Sequence, residues 1–140
     1  MATRVVGRSV GGSFTTQLVT GRHSVIADEP RPVGEDLGPS PYELLLAALG
    51  ACTSMTLLHY ARRKEWPLTE VQVELSHDRV YTADCDECED EGARIEQVTR
   101  RIHLAGPLDD AQRERLAEIA RRCPVHKTVG GAISIVDEVG

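Results

Sequence analysis

Aromatic side chains are scarce in this sequence, which has one Phe, one Trp and three Tyr among its 140 residues. Its hydrophobic core must therefore be built mostly from aliphatic side chains. A chain of this length is typical of one compact domain with a core of modest size, so we predict a single domain over residues 1–140.

Basic residues are not in surplus either, since 16 Lys and Arg are outnumbered by 22 Asp and Glu and the net charge is −6. Phosphate binding requires a basic surface, so nucleic acid is excluded as an expected partner. No apolar run with a cleavage site follows Met1, and we expect a cytoplasmic location. In that compartment the four cysteines favour catalysis or metal binding over a framework of structural disulfides.

The longest stretch without a charged residue, from Leu44 to Leu58, predicts a long helix. Its start signal is strong, because Ser40 is a good N-cap and Pro41 suits the first helical position. Glu43 stands three residues after the cap and completes a capping box. The apolar positions cover every side of this helix, which indicates burial in a protein core or in a membrane.

We do not expect this helix to span a membrane. The uncharged run carries Thr53 and Thr56, His59 directly follows it, and the run is shorter than the roughly 20 apolar residues that a spanning helix needs. Burial inside a soluble protein is the better explanation, yet so short a chain has difficulty covering a helix on all sides. We therefore expect a second subunit to help cover it.

The rest of the pattern predicts strands gathered in runs. β-Branched residues over Arg4–Val10 and Ser13–Val19, separated by Gly11-Gly12, indicate a hairpin with a two-residue turn. Further strands are predicted over residues 24–27, 71–81, 94–104 and 132–139, and the uneven apolar spacing over 94–104 indicates a bulge. A second helix is predicted from Pro107 onward, followed by a short helical turn after Cys123.

The predicted order is therefore βββ-α-ββ-α-β. Strands that occur in runs, rather than alternating with helices, indicate an α+β fold with mostly antiparallel sheets around the central buried helix. Residues 28–39 hold three Pro and two Gly and form a loop long enough to border a site.

Two of the cysteines, Cys52 and Cys123, occupy unusual places. Cys123 directly precedes Pro124, where a helical turn begins, and exposed N–H groups at a helix start lower the pKa of a thiol. Positive charge nearby acts in the same direction and comes from Arg121, Arg122, His126 and Lys127. A small buried residue explains Cys123 equally well, and for mid-helix Cys52 simple burial is the favoured explanation from the residues alone.

The other two, Cys85 and Cys88, form a CxxC in an acidic loop. A lone CxxC is half of a zinc site, a redox pair or a plain solvated loop, and the plain loop is favoured. Zinc usually takes four ligands, so His77 or the loop of a second subunit would have to complete the site. Acidic neighbours raise the pKa of a thiol, which disfavours a fast redox role.

The segment GPSPYELLLAALGACTSMTL, followed about seventy residues later by CPVHKT, resembles the OsmC/Ohr family of thiol-dependent hydroperoxide reductases. The predicted element order agrees, and the resemblance covers essentially the whole chain. It implies an OsmC-like fold and an intertwined homodimer in which the cysteine-bearing helices are central.

The resemblance also implies roles for the two thiols. Cys52 would be the peroxidatic thiol, which attacks the O–O bond of an organic hydroperoxide, or of hydrogen peroxide, and becomes a sulfenic acid. Cys123 would be the resolving thiol and would form a disulfide with it. An external dithiol, of the lipoyl type or a small molecule, would restore both thiols. No resident cofactor is expected.

Two supporting residues of the family have only approximate counterparts. The family places an active-site Glu ten residues before the first Cys, where this sequence has Tyr42, so the neighbouring Glu43 is our candidate acid. For the N-terminal Arg that holds the thiolate, Arg8 is the candidate by position, with Arg22 and Arg31 as alternatives. His126 is the histidine best placed to tune a thiol, whereas His59 is interpreted as a packed or interface residue.

These differences support a second hypothesis from another class. The chain would then be a non-catalytic OsmC-like protein that binds metal, zinc foremost, or regulates through Cys85 and Cys88. A weaker hypothesis is a unit that acts beside a separate enzyme domain.

Overall fold

The structure is a computed structural model that describes residues 2–81 and 94–140. It is an α+β fold with two antiparallel sheets, which confirms the predicted fold class. In chain order the elements are β1 (Val6–Ser9), β2 (Thr16–Thr20), β3 (His23–Ala27), α1 (Pro41–Lys64), β4 (Glu70–Tyr81), β5 (Arg94–Ala105), α2 (Asp110–Ala120) and α3 (Pro124–Val129).

The chain divides into two compact units, residues 1–45 and residues 46–140. The first unit holds the three-stranded sheet and the start of α1. The second unit holds the rest of α1, the two-stranded sheet and the last two helices. The single domain over residues 1–140 therefore stays a prediction.

In the first unit, β1, β2 and β3 form an antiparallel meander in that order. Ser9 pairs with Thr16, so residues 10–15 form the connection between β1 and β2, and the predicted two-residue turn is wrong. The hydroxyl of Ser13 donates a hydrogen bond to Thr15, and the Thr15 hydroxyl donates to Asp28. Such side-chain hydrogen bonds compete with the backbone hydrogen bonds between strands, so residues 13–15 stay outside the β1–β2 pairing.

The long loop over residues 28–39 is organised around one buried carboxylate, that of Asp28, which is 3% exposed. It accepts hydrogen bonds from the Thr15 hydroxyl at 3.0 Å and from backbone N–H groups at 2.8 to 3.3 Å, those of Glu29, Glu35 and Leu37. Burial acts to raise the pKa of Asp28, but these hydrogen bonds outweigh it and hold the pKa below its ordinary value.

Helix α1 begins as predicted. The Ser40 N–H donates to the Glu43 carboxylate at 3.0 Å, and the Glu43 N–H donates to the Ser40 hydroxyl at 3.4 Å, which is the reciprocal pattern of a capping box. The helix ends before Glu65, whose φ of 57° leaves the helical region, and Trp66-Pro67 prevents its continuation.

Only one stripe of α1 is buried, and its residues are Leu49, Thr53, Leu57 and Ala61. Several large apolar side chains remain exposed on the helix, namely Tyr42, Leu45, Met55 and Leu58. Among the described residues, α1 is the one helix that is long and apolar enough to cross a membrane. Core helices of soluble proteins also meet this criterion of length and composition. The expected burial on every side is therefore not provided by one chain alone.

The core of the second unit lies between α1, α2 and the β4–β5 hairpin. Its fully packed residues are Leu57, Leu116, Ile119 and Ala120, and partly buried residues around them include Trp66, Val71 and Ile102. Gly50 is one place where α1 comes close to the sheet, because a Cβ at this position would lie 2.9 Å from the Leu75 side chain.

Strands β4 and β5 pair without interruption from Glu70 opposite Ala105 to Tyr81 opposite Arg94, so the predicted bulge is wrong. The apolar alternation of β5 is interrupted at one position, but the interruption is a charged side chain and not an extra residue. Arg100 occupies an inward position of β5 between Val98 and Ile102.

The last predicted strand, Ala132 to Val139, is also wrong. Residues 132–140 have no regular secondary structure, and no described strand pairs with them. Their apolar side chains are exposed, Ile135 by 80% and Val136 by 83%, although their β-branched composition favours a strand. A strand needs a neighbour to satisfy its backbone groups, and this one has none within the described chain.

We expect replacement of Asp28 by Asn to loosen the 28–39 loop, because an amide cannot replace a carboxylate that accepts several N–H groups. Amide hydrogen exchange at Glu35 and Leu37 should accelerate. Since the folded-state pKa of Asp28 is lowered, its stabilising effect is present above its ordinary pKa of about 3.8 and is lost as the pH falls further. The matched change Glu35→Gln, at an exposed side chain, should leave the exchange rates as they are.

Candidate active site

The two cysteines of the sequence motifs meet in the folded chain. Cys52 lies in the middle of α1 and is half-buried, and Cys123 precedes α3 and is fully buried. Both are free thiols, and each changes the pKa of the other, so the two side chains are neighbours. Two sulfurs that are 71 residues apart in the sequence therefore form one local site.

A short break between helices positions Cys123. Helix α2 ends at Ala120, and Cys123 is the N-cap of α3, with Pro124 in the first helical turn. The Cys123 sulfur accepts a hydrogen bond from the His126 N–H at 3.3 Å, as an N-cap side chain does. The neighbouring N–H of Val125 acts to lower the pKa of both thiols. The first amides of α3 thus serve both sulfurs.

The Cys52 thiol has a pKa below its ordinary value. Burial alone acts to raise the pKa, but donors around the sulfur outweigh it. These donors are the Cys123 thiol, the Val125 N–H and the Thr56 hydroxyl, and the positive charge of Arg100 acts in the same direction. Cys52 is therefore the sulfur that carries the negative charge more readily, as a nucleophile must.

The Cys123 thiol behaves in the opposite way, and the prediction of a lowered pKa at Cys123 is wrong. Burial raises its pKa, and so does its hydrogen bond to Cys52, whereas the His126 N–H opposes them only in part. A helix start does lower the pKa of an accessible thiol, but here desolvation is the larger effect. Cys123 is therefore the sulfur of the pair that keeps its proton more readily.

Arg100 is the cation of the site, and the sequence patterns did not identify it. Its half-buried guanidinium donates from Nη1 to the Thr53 hydroxyl at 2.9 Å and to the Ala120 carbonyl at 3.3 Å. Burial lowers the pKa of Arg100, and the nearby sulfurs of Cys123 and Cys52 counteract this. The available signal was the missing apolar residue at an inward position of β5.

The imidazole of His126 does not add the positive charge that the sequence suggested. Its pKa is lowered first by burial and then by the charges of Arg100 and Arg121, so the ring is neutral near pH 7. His126 acts on the thiols through its backbone N–H instead.

An open groove of about 510 Å³ runs along the exposed face of α1 past Cys52. Its lining is almost entirely apolar and comprises Ala48, Ala51, Cys52, Met55, Thr56, His59 and Pro124. His59 is exposed in the single chain and borders this groove, two helical turns from Cys52. An apolar substrate chain would gain free energy by leaving water here.

The other predicted site residues are not brought to these thiols by any described contact. In the first unit, Glu43 is engaged with Ser40, whose backbone N–H holds the pKa of Glu43 below its ordinary value. Arg8 lies in the exposed strand β1. Their catalytic roles stay predictions.

The predicted metal site falls outside the described residues, because Cys85 and Cys88 lie between residues 81 and 94. Within residues 2–81 and 94–140, no group of three or more His, Cys, Asp or Glu side chains is arranged to hold a metal ion. His77 is paired with Glu96 across the β4–β5 ladder. Zinc at the CxxC stays a prediction.

The fold and the paired thiols define the class of protein: an α+β protein with one accessible and one buried cysteine in contact. The family model described as OsmC-like protein matches residues 34–136. The chain belongs to this OsmC-like family, as the sequence motifs predicted. Among curated proteins no significant match is found.

Solved structures share the fold at low sequence identity. An OsmC-like protein from Mycoplasma pneumoniae has a TM-score of 0.74 and 17% identity, with 94% of this chain and 89% of that chain covered. The organic hydroperoxide resistance protein OsmC from Legionella pneumophila has a TM-score of 0.65 and 21% identity, with 91% and 90% covered. A Vibrio cholerae protein with captopril bound in one of its active sites has a TM-score of 0.66 and 21% identity, with 94% and 87% covered.

We expect Cys52 to react with iodoacetamide at lower pH than Cys123, because the pKa of Cys52 is lowered and that of Cys123 is raised. Replacing Arg100 by Gln should move the Cys52 reaction to higher pH, since it removes a nearby positive charge that lowers the pKa of Cys52. Peptide mapping across a pH series measures both curves. Arg101→Gln removes the same charge from an exposed neighbouring position and should not move the Cys52 curve; an equal shift would mean that the effect is not local.

Proposed function

We propose that this chain is a thiol-dependent peroxidase that reduces organic hydroperoxides through Cys52 and Cys123. The observation that carries the proposal is the contact between an acidic, half-buried thiol and a fully buried one. Such a pair supplies a thiolate to attack peroxide and a second sulfur to trap the product.

In the first step the Cys52 thiolate attacks one oxygen of the O–O bond. That bond breaks, the other oxygen leaves with the organic group and takes up a proton to become an alcohol, and Cys52 becomes a sulfenic acid. The Cys123 sulfur then attacks the Cys52 sulfur, releasing water and forming a disulfide. A dithiol reduces the disulfide by two exchange steps and becomes a disulfide itself.

The apolar groove favours an organic hydroperoxide over hydrogen peroxide, because burial of an alkyl chain adds binding free energy that a small peroxide lacks. The Legionella protein with this fold is named for organic hydroperoxide resistance, which supports the assignment. Captopril, which has a thiol group, binds in an active site of the Vibrio protein, and this supports a site that admits small thiols.

We also propose that the active form is a homodimer, in which a second copy covers the exposed apolar face of α1. Met55 is 68% exposed and Leu58 is 41% exposed. Monomeric soluble proteins rarely expose a large contiguous apolar surface to water. A second copy over this face would turn the open groove beside Cys52 into a closed one. The exposed apolar tail over residues 132–140 would gain a neighbour in the same way.

Peroxide consumption with dithiothreitol should fall to the uncatalysed background in Cys52→Ser. In Cys123→Ser the sulfenic acid should form but no Cys52–Cys123 disulfide should follow. Dimedone labelling and non-reducing peptide mapping after peroxide treatment distinguish the two products. Cys85→Ser and Cys88→Ser are the matched thiol removals, and both should keep the wild-type rate. Equal, slow consumption by wild type and Cys52→Ser would disprove the proposed function.

Replacing Leu58 by Glu should convert the dimer to a monomer, since it would place a charge in an apolar interface. Sedimentation velocity measures the mass of the species present. Arg62→Glu, at the polar end of the same helix, should leave the dimer intact. A wild-type protein that sediments as a monomer at micromolar concentration would contradict the proposed homodimer.

A further inference from the structure

A second cavity, of about 350 Å³, lies within the second unit beside Arg100. Its walls combine three aliphatic side chains with three polar ones, and these are Leu49, Val98, Val129, Glu96, Arg100 and His126. Neither Cys52 nor Cys123 lines this cavity, so a molecule held in it would act on the thiols only at a distance. We call it the Arg100 cavity.

Positive charge prevails at this cavity. No carboxylate in the described part of the chain forms an ion pair with Arg100. Glu96 does line the cavity, but its carboxylate is already bound by Arg79, at 2.9 Å, and by His77. An anion that enters the cavity would therefore meet a guanidinium whose charge has no carboxylate partner among the described residues.

Arg100 also has hydrogen-bond donors to offer an anion. Its hydrogen bonds to described residues go to the Thr53 hydroxyl at 2.9 Å and to the Ala120 carbonyl at 3.3 Å, and both come from Nη1. Since a guanidinium carries five N–H groups in one plane, Nη2 and Nε have capacity for the two oxygens of a carboxylate. Both acceptors in the chain are neutral, and a half-buried cation is stabilised more by a charged acceptor.

The same side chain connects the cavity to the thiols. The positive charge of Arg100 acts to lower the pKa of Cys52, and the sulfurs of Cys52 and Cys123 in turn favour the charged form of Arg100. Thr53, which accepts the hydrogen bond from Arg100 on α1, directly follows Cys52. A carboxylate bound to the guanidinium would offset its effect on the thiol, because the two opposite charges would then lie close together.

We propose that the Arg100 cavity binds a small aliphatic monocarboxylate, and that the bound carboxylate slows the reactions of Cys52. The side chains of Leu49, Val98 and Val129 suit a short alkyl chain. One carboxylate is favoured over two, since a second would add negative charge to a cavity that Glu96 already lines. This role does not depend on the proposed peroxidase function, because it concerns the reaction of Cys52 with any electrophile.

The coupling between the carboxylate and the thiolate must be reciprocal. If a bound carboxylate disfavours the Cys52 thiolate, the thiolate weakens carboxylate binding by the same factor. Cys52→Ser removes the thiolate. At a pH where Cys52 is ionised, this variant should therefore bind the carboxylate more tightly than the wild type does.

Butyrate and butyramide are matched probes, because they share one alkyl chain and differ in the charge of the group that it carries. Alkylation of Cys52 by iodoacetamide is measured by peptide mapping in the reduced full chain, without peroxide and at constant ionic strength. In the pH range where Cys52 titrates, we expect saturating butyrate to slow alkylation roughly fivefold, the lower end of the usual coupling between two sites. Butyramide should have no effect.

Binding itself is followed through the imidazole of His126, which lines the same cavity. The pKa of His126 is lowered by burial and by the charges of Arg100 and Arg121. A bound carboxylate would stabilise the protonated ring, so butyrate should move the NMR titration of His126 to higher pH. Butyramide should leave the titration where it is.

Arg100→Gln should lose both responses to butyrate, whereas Arg101→Gln removes the same charge from an exposed position and should keep both. Val129→Glu covers the case in which Arg100→Gln does not fold. Its carboxylate would occupy the cavity wall permanently, so Cys52 should react slowly without butyrate and butyrate should slow it no further. Val129→Gln adds the same bulk without the charge, and its Cys52 should react at the wild-type rate in the absence of butyrate.

Unchanged alkylation and an unchanged His126 titration with butyrate up to roughly 100 mM overturn the inference. So does an effect that butyramide reproduces, or one that survives in both Arg100→Gln and Val129→Glu. A shift of the His126 titration without slower alkylation overturns the coupling to Cys52. Peroxide consumption with dithiothreitol, measured without butyrate, tests the peroxidase function by itself, so the failure of either proposal is recognised without the other.

Discussion

A guanidinium on the inner face of an aliphatic sheet is the constraint on which this site depends. Arg100 stands where the strand pattern calls for an apolar side chain, and a charge at such a position needs compensation. The Thr53 hydroxyl and the Ala120 carbonyl accept two of its hydrogen bonds, and each comes from a helix that packs on the sheet. Satisfying one cation thus fixes α1 and the end of α2 relative to β5, within the same unit that holds both thiols.

The two thiols become unequal through their surroundings rather than through their own sequence neighbours. After the break that follows α2, the His126 N–H donates to Cys123, and the Val125 N–H acts to lower the pKa of both thiols. Cys123 is wholly withdrawn from water, so the same donors that suffice for Cys52 do not compensate its burial. Nucleophilic attack followed by disulfide formation requires one accessible sulfur that readily becomes a thiolate and a second sulfur that keeps its proton.

Features that depend only on residues close together in the sequence could be predicted. The capping box of Ser40 and Glu43 and the element order down to α3 needed no knowledge of distant residues. The errors arose where the local structure depends on a partner residue that is distant in the sequence. The gap at Arg100 resembled a bulge because its partners Thr53 and Ala120 are far away in sequence. The tail over residues 132–140 has the composition of a strand, but composition cannot supply the neighbour that a strand needs.

Gly50 has a consequence that reaches beyond packing. It lies opposite Leu75, and Leu75 is the direct cross-strand partner of Arg100. A methyl group at position 50 would displace the Leu75 side chain, whose backbone lies directly opposite that of Arg100 in the ladder. The smallest residue in the helix therefore keeps the space that the Leu75 side chain occupies, at the strand position opposite Arg100.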